Sequence, residues 1–137
     1  MKEVSHALAE MQRKQKIMYY YKFPETKSAS LVVSDHFIIK NDKTVIFIEE
    51  KSSKNGKLQS GNVFGDNKLH QVVFNKLMQK GQNKACYLFR FNNRNKITYC
   101  LIWDINSLNT KYKSYISADD FTIKDSSLEK LLEQVVS

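Results

Sequence analysis

Two apolar runs, LVVSDHFII (31–39) and TVIFIEEK (44–51), stand only four polar residues apart, with KNDK between them. Short runs rich in β-branched and aromatic residues read as strands, and so short a gap makes them one hairpin. With Asn41, Asp42 and Lys43 as a three-residue loop, the register is set: Asp35 lies opposite Glu49, Phe37 opposite Phe47 and Val33 opposite Lys51. Opposed side chains share a face, with Cβ atoms about 4.5–5.5 Å apart. Lys51, two residues beyond Glu49, projects from that same face, whereas Glu50 points the other way as a solvated side chain or a structural partner.

Two carboxylates at that separation repel unless something neutralises them. A hard divalent cation does so, because Mg²⁺ takes oxygen ligands and is held by one or two carboxylates plus waters and substrate phosphate. An ammonium beside them can orient an attacking water or stabilise charge on a phosphate. Acids at strand ends are commonly just solvated, and Glu-Glu-Lys is a common string. The matched register of Asp35, the apolar lead-in VIFI and a formal charge of +8 together favour a site.

That charge comes from 22 Lys and Arg against 14 Asp and Glu, and it favours polyanionic partners, nucleic acid first and a membrane surface second. Cys86 and Cys100 fall within ACYLFRF and ITYCLIW and read as small buried thiols of a reducing compartment. The N-terminus is charged throughout and no apolar run approaches the roughly 18 residues of a membrane span, so the chain reads as soluble and cytoplasmic. A length of 137 residues suits a single domain, 1–137.

Elsewhere, residues 3–15 predict an amphipathic helix with Val4, Ala7, Leu8 and Met11 on one side. IMYYYKF predicts a strand stopped by Pro24, and ETKSAS a polar loop. SSKNGKLQSGNVFGDN holds three of the four glycines and reads as one long, functional loop. NKLHQVVFNKLMQKG predicts a helix with Asp66 as N-cap, an apolar stripe of Leu69, Val72, Val73 and Leu77, and Gly81 just past its end. KACYLFRF and KITYCLIWDI flank the turn NNRN as a hairpin. A last helix carries Leu128, Leu131, Leu132 and Val135 on one face, with Ser126 and Glu129 as its capping box. The order of elements predicts an α/β or α+β domain, a mixed sheet covered by helices.

At the Asp35, Glu49 and Lys51 constellation the chain resembles the PD-(D/E)XK nuclease superfamily, whose signature is an acid on one strand and Glu-x-Lys on the next. Within it the resemblance is greatest to Holliday-junction resolvases of the RecU type and their short phage or archaeal relatives. SDHFII matches the first acidic strand and VIFIEEKSS the strand ending in Glu-x-Lys and a small hydroxyl residue. LHQVVFNKLMQKGQNKACYLFRF matches a helix opening on His-Gln, a turn and an aromatic strand. The match runs over about residues 1–105. Ser34 stands where the nominal motif has proline, and the chain is too short for the stalk insertion of bacterial RecU proteins.

The resemblance implies a restriction-endonuclease-like α/β core with a mixed central sheet of about five strands flanked by helices. It implies Mg²⁺, with Mn²⁺ able to substitute, held by Asp35 and Glu49, while Lys51 assists the nucleophile and Gln71 supports the site. The family often adds a glutamate from the first helix, here Glu3 or Glu10. It also implies a homodimer acting on four-way or other branched DNA. Lys54, Lys57 and Lys68, with Arg13 and Lys14, are candidates for phosphate contacts or else solvated surface. Two further readings stand: a restriction-like or repair nuclease on linear or single-stranded DNA, and a basic DNA-binding module without catalysis. His6, His36 and His70 lack metal-ligand spacing, and there is no phosphate-cradling glycine loop or nucleophile elbow.

Overall fold

The computed structural model describes residues 2–24, 32–108 and 113–137; ETKSAS lies outside them. The elements are α1 (Lys2–Arg13), β1 (Tyr19–Lys22), β2 (His36–Ile39), β3 (Val45–Ser53), β4 (Lys57–Gln59), α2 (Gly61–Phe64), α3 (Leu69–Met78), β5 (Lys84–Asn93), β6 (Lys96–Ile102), β7 (Tyr115–Ser117), β8 (Ile123–Asp125) and α4 (Leu128–Val136). Six strands form one sheet in the order β1-β2-β3-β5-β6-β8, and β4 pairs with β7 separately. Every neighbouring pair in the large sheet is antiparallel except β3 with β5. The sheet is thus mixed, as expected, with one strand more than the five anticipated.

Strand alternation divides the core between the two faces. Ile38, Ile46, Ile48 and Leu88 pack under α1 and α4, where Val4, Leu8, Leu131 and Leu132 meet them. Tyr87, Phe89 and Phe91 face the other way, toward Val63, Val72 and Phe121. The β2–β3 register pairs Phe37 with Phe47, as the three-residue loop requires, and Lys43 at φ 74° supplies the left-handed residue that closes such a loop. The β5–β6 hairpin turns on Arg94 and Asn95, both at positive φ, the signature of a two-residue type I′ turn.

Several expectations need correction. The glycine-rich segment is not one loop: Leu58 and Val63 are buried, which draws β4 and α2 into order, and Gly56 at φ 81° makes the turn between β3 and β4. The apolar stripe expected on α3 is mostly exposed, with Leu69, Val73 and Leu77 at 55%, 47% and 61%, and Gln71, Val72 and Asn75 are buried instead. Hydrogen bonding decides the rotation. Asn75 donates to the carbonyls of Ala85 and Trp103 and accepts from the Ile105 amide. Asp66 opens a short 3₁₀ turn, Asp66–Lys68, and does not cap α3, whose cap position is Lys68. The helix gives way to Gln79, whose side chain ties back to Asn75, Ala85 and Trp103, so Gly81 lies beyond the cap. The N-cap of α4 is Ser127, which accepts from the Lys130 amide, and not Ser126.

Candidate active site

The β2–β3 ladder ends at His36 opposite Ile48. Asp35 and Glu49 come one residue further on, facing each other on the side of the sheet that carries Phe37 and Phe47. Two bonds hold Asp35 to β3 beyond the ladder: its amide donates to the Ile48 carbonyl at 3.1 Å, and its Oδ2 accepts from the Glu50 amide at 2.8 Å. One carboxylate oxygen of Asp35 is thereby engaged and oriented.

Glu49 is 5% exposed, and its Oε1 is buried with no hydrogen-bond partner. Burial, then the charge of Asp35 and a carboxyl–carboxyl hydrogen bond with it, push the Glu49 acid up to about 8, against the opposing pull of Lys51. Beside it in the parallel ladder stands Tyr87, whose hydroxyl is also buried without a partner. Lys51 places Nζ 3.4 Å from Glu49 Oε2 and donates to Gln71 Oε1 at 3.1 Å. Burial lowers the Lys51 ammonium below the ordinary lysine range and the nearby charge of Lys68 adds to that, while Glu49 and Asp35 oppose it.

Gln71 reaches Lys51 because α3 begins directly over the end of β3, with its first turn pinned: His70 Nε2 lies 3.1 Å from the carbonyl of Val32, in the segment leading into β2. Four of the expected residues, Asp35, Glu49, Lys51 and Gln71, therefore meet in one place.

Among the described residues no three His, Cys, Asp or Glu side chains are grouped to hold a metal. The donor set nonetheless fits a cation of the magnesium type. Two facing carboxylates, one with an unpartnered buried oxygen, are the usual protein share of such a site, and waters and phosphate supply the rest.

The first-helix glutamates lie elsewhere. Glu3 approaches Arg90 Nε at 3.5 Å, on the sheet face opposite Asp35, and Glu10 pairs with Arg13 and Lys14. Arg13 and Lys14 are thus engaged by Glu10 at the end of α1. Lys54 is exposed, Lys57 sits 4.3 Å from the centroid of the Tyr115 ring, and Lys68 is close enough to act on Lys51.

Glu50, on the back of the sheet, is a structural partner: its Oε2 lies 2.9 Å from Nε2 of the fully buried His36. Tyr20 OH contacts the other ring nitrogen of His36 at 3.1 Å. Of the two roles open to Glu50, solvated side chain or structural partner, the second holds, with His36 as the partner. The hairpin register already put His36 and Glu50 on one face, diagonal to each other.

No family model matches the chain, and no match was found among curated proteins. Among solved structures the chain is similar to that of Archaeoglobus fulgidus Hjc, a Holliday junction resolvase from an archaeal hyperthermophile, at a TM-score of 0.55 and 14% identity. The superposition covers 88% of this chain and 91% of that one. The two therefore share a fold, a mixed and mostly antiparallel central sheet flanked by helices.

Proposed function

We propose that this chain is a divalent-metal-dependent DNA endonuclease of the PD-(D/E)XK type, acting on four-way or other branched DNA as a homodimer inside the cell. The observation that carries the reading is Asp35 facing Glu49, with an unpartnered Glu49 oxygen and the Lys51 ammonium 3.4 Å from the other. The shared fold with a Holliday junction resolvase supports the substrate class, and the net charge of +8 suits a phosphate backbone.

Asp35 and Glu49 would hold Mg²⁺ or Mn²⁺, which when bound polarises the phosphoryl oxygen and acidifies a water. The remaining work belongs to the protein. The Glu50 amide fixes one Asp35 oxygen and leaves the other for ligation. Gln71 aims the Lys51 ammonium, which stabilises negative charge on the scissile phosphate as it develops. Exposed Lys54 and the partly exposed Lys68 hold the flanking backbone without reading bases. In a homodimer, two such sites would cut opposing strands of one junction.

The test is cleavage of a synthetic four-way junction, and of its separate duplex arms, with Mg²⁺ or Mn²⁺. Junction cutting lost in Glu49→Ala and Lys51→Ala supports the assignment, and full activity in either variant sinks it. Equal cutting of the arms would favour a nuclease of linear duplex. Metal-independent binding without cutting would leave a DNA-binding module.

A further inference from the structure

The side chains immediately behind the two acids form a connected series that the proposed chemistry does not use. Tyr20 on β1, His36 on β2 and Glu50 on β3 lie on three successive strands, all on the face covered by α1. Tyr20 OH is 3.1 Å from His36 Nδ1, and His36 Nε2 is 2.9 Å from Glu50 Oε2, an ion-pair distance, although the ring nitrogen is not aimed for a hydrogen bond. The Tyr20 amide in turn donates to Gln12 Oε1 at 2.8 Å, which ties the series to α1. His36 is fully buried and the Glu50 side chain is 12% exposed, with Ile38, Ile48 and Leu88 as neighbours in that core. Charged and polar groups are costly there unless paired, and this pairing lies directly behind the acids.

His36 follows Asp35 and Glu50 follows Glu49, so a contact between them on the back face fixes the backbone that aims both carboxylates on the front. The β2–β3 ladder has ended at His36 and Ile48, so beyond it Asp35 is tied to β3 only by its amide on the Ile48 carbonyl and by its Oδ2 on the Glu50 amide. What orients Asp35 is the Glu50 amide, at 2.8 Å from Oδ2. The direction of the Asp35 carboxylate therefore depends on where the Glu50 backbone stands, and the Glu50 side chain is held by His36.

We propose that His36 and Glu50, steadied by Tyr20, are positioning residues: they clamp the start of β2 to the middle of β3 from behind so that Asp35 and Glu49 face each other at a separation one cation can bridge. The clamp rests on the metal-site reading above. It contributes to cation affinity through the two acids and touches neither the cation nor DNA.

The experiment is calorimetric titration of Mn²⁺ into the full chain, with Mn²⁺ electron paramagnetic resonance as a second readout and thermal melting as a control. Glu50→Ala and His36→Ala are each expected to weaken Mn²⁺ binding by about 10–100-fold, the usual effect of removing a group that orients a ligand. Glu50→Gln, which keeps shape and an acceptor, should stay within about threefold of the wild type, and the double alanine variant should be no weaker than the worse single, because the two act as one unit. Ile38→Val, on the same face, should lower the melting temperature and leave Mn²⁺ affinity alone. If His36→Ala does not fold, His36→Gln and Tyr20→Phe carry the comparison.

Wild-type Mn²⁺ affinity in Glu50→Ala, alongside weakened binding in Glu49→Ala, would overturn the clamp and leave the metal site standing. Absence of binding in the wild type, or undiminished binding in Glu49→Ala, would overturn the metal-site reading and the clamp with it.

Discussion

Lys51 Nζ donates a hydrogen bond to Gln71 Oε1 across 3.1 Å, linking the end of β3 to the first turn of α3. The ammonium is thus held by a neutral amide as well as by Glu49, so its position does not rest on the carboxylate alone. Lys51→Ala is expected to lower the single-turnover rate of junction cleavage by about 10²–10³-fold, as for loss of a group that stabilises developing charge. Gln71→Ala, which only frees the lysine, should cost about 10–100-fold. Junction affinity measured in Ca²⁺ should move little in Gln71→Ala; a loss confined to binding would place Gln71 on the DNA and not behind Lys51.

Stability without metal should depend on pH through Glu49. Its carboxyl titrates at about 8 in the folded chain against an ordinary value of 4.5, so the folded state holds the proton more tightly than the unfolded one. The contribution is complete below about pH 4.5, declines as pH rises, and is gone above about pH 8. Denaturant melts in EDTA at pH 5, 7 and 9 should show the decline in the wild type and not in Glu49→Gln, which should be the more stable by roughly 2–4 kcal/mol at pH 9. The cation competes with the same proton, so Mn²⁺ affinity should rise across that window.

Asn75 should be a large single contributor to stability. It is 1% exposed, and its amide serves Ala85, Trp103 and Ile105 at once, joining α3 to the start of β5 and the end of β6. Asn75→Ala strands the Ile105 amide and leaves the Ala85 and Trp103 carbonyls to Gln79 alone, and urea unfolding should register a loss of roughly 1–3 kcal/mol with an unchanged slope. A loss below about 1 kcal/mol would mean that water replaces the amide.

Salt dependence separates the candidate phosphate contacts. Lys54→Ala and Lys68→Ala should each reduce the slope of log affinity against log salt for a labelled junction by about 0.9. Arg13→Ala should change it less, because Glu10 already holds that guanidinium. An unaltered slope in both lysine variants would remove them from the interface.

The parts of this fold visible in the sequence are those set by local rules. The β2–β3 register followed from a loop length and a strand period, and α1 and α4 followed from apolar spacing at Val4, Leu8, Leu131 and Val135. What local rules could not reach was settled by distant partners. Asn75 turned α3 away from its own apolar stripe because three carbonyl and amide groups of β5 and the β6 exit needed it. β4 became a strand because Ile116, far along the chain, arrived to pair with Leu58. Gln71 was legible through family resemblance alone; its helix position falls outside the apolar stripe of Leu69, Val72, Val73 and Leu77, so spacing gave no reason to bury it. Glu3 fitted the spacing of a first-helix acid, yet the structure puts it with Arg90 across the sheet.

The parallel pairing of β3 with β5 joins two hairpins whose own contacts are close in sequence, while everything from Lys54 to Asn83 must pass between them. Closing that connection is entropically expensive, so the hairpins can form well before the sheet does. The two acids belong wholly to the first hairpin, whereas Gln71 sits in the crossover. In the order of folding, the chain would acquire its two acids and Lys51 early, and the amide that aims the lysine only when the centre of the sheet closes.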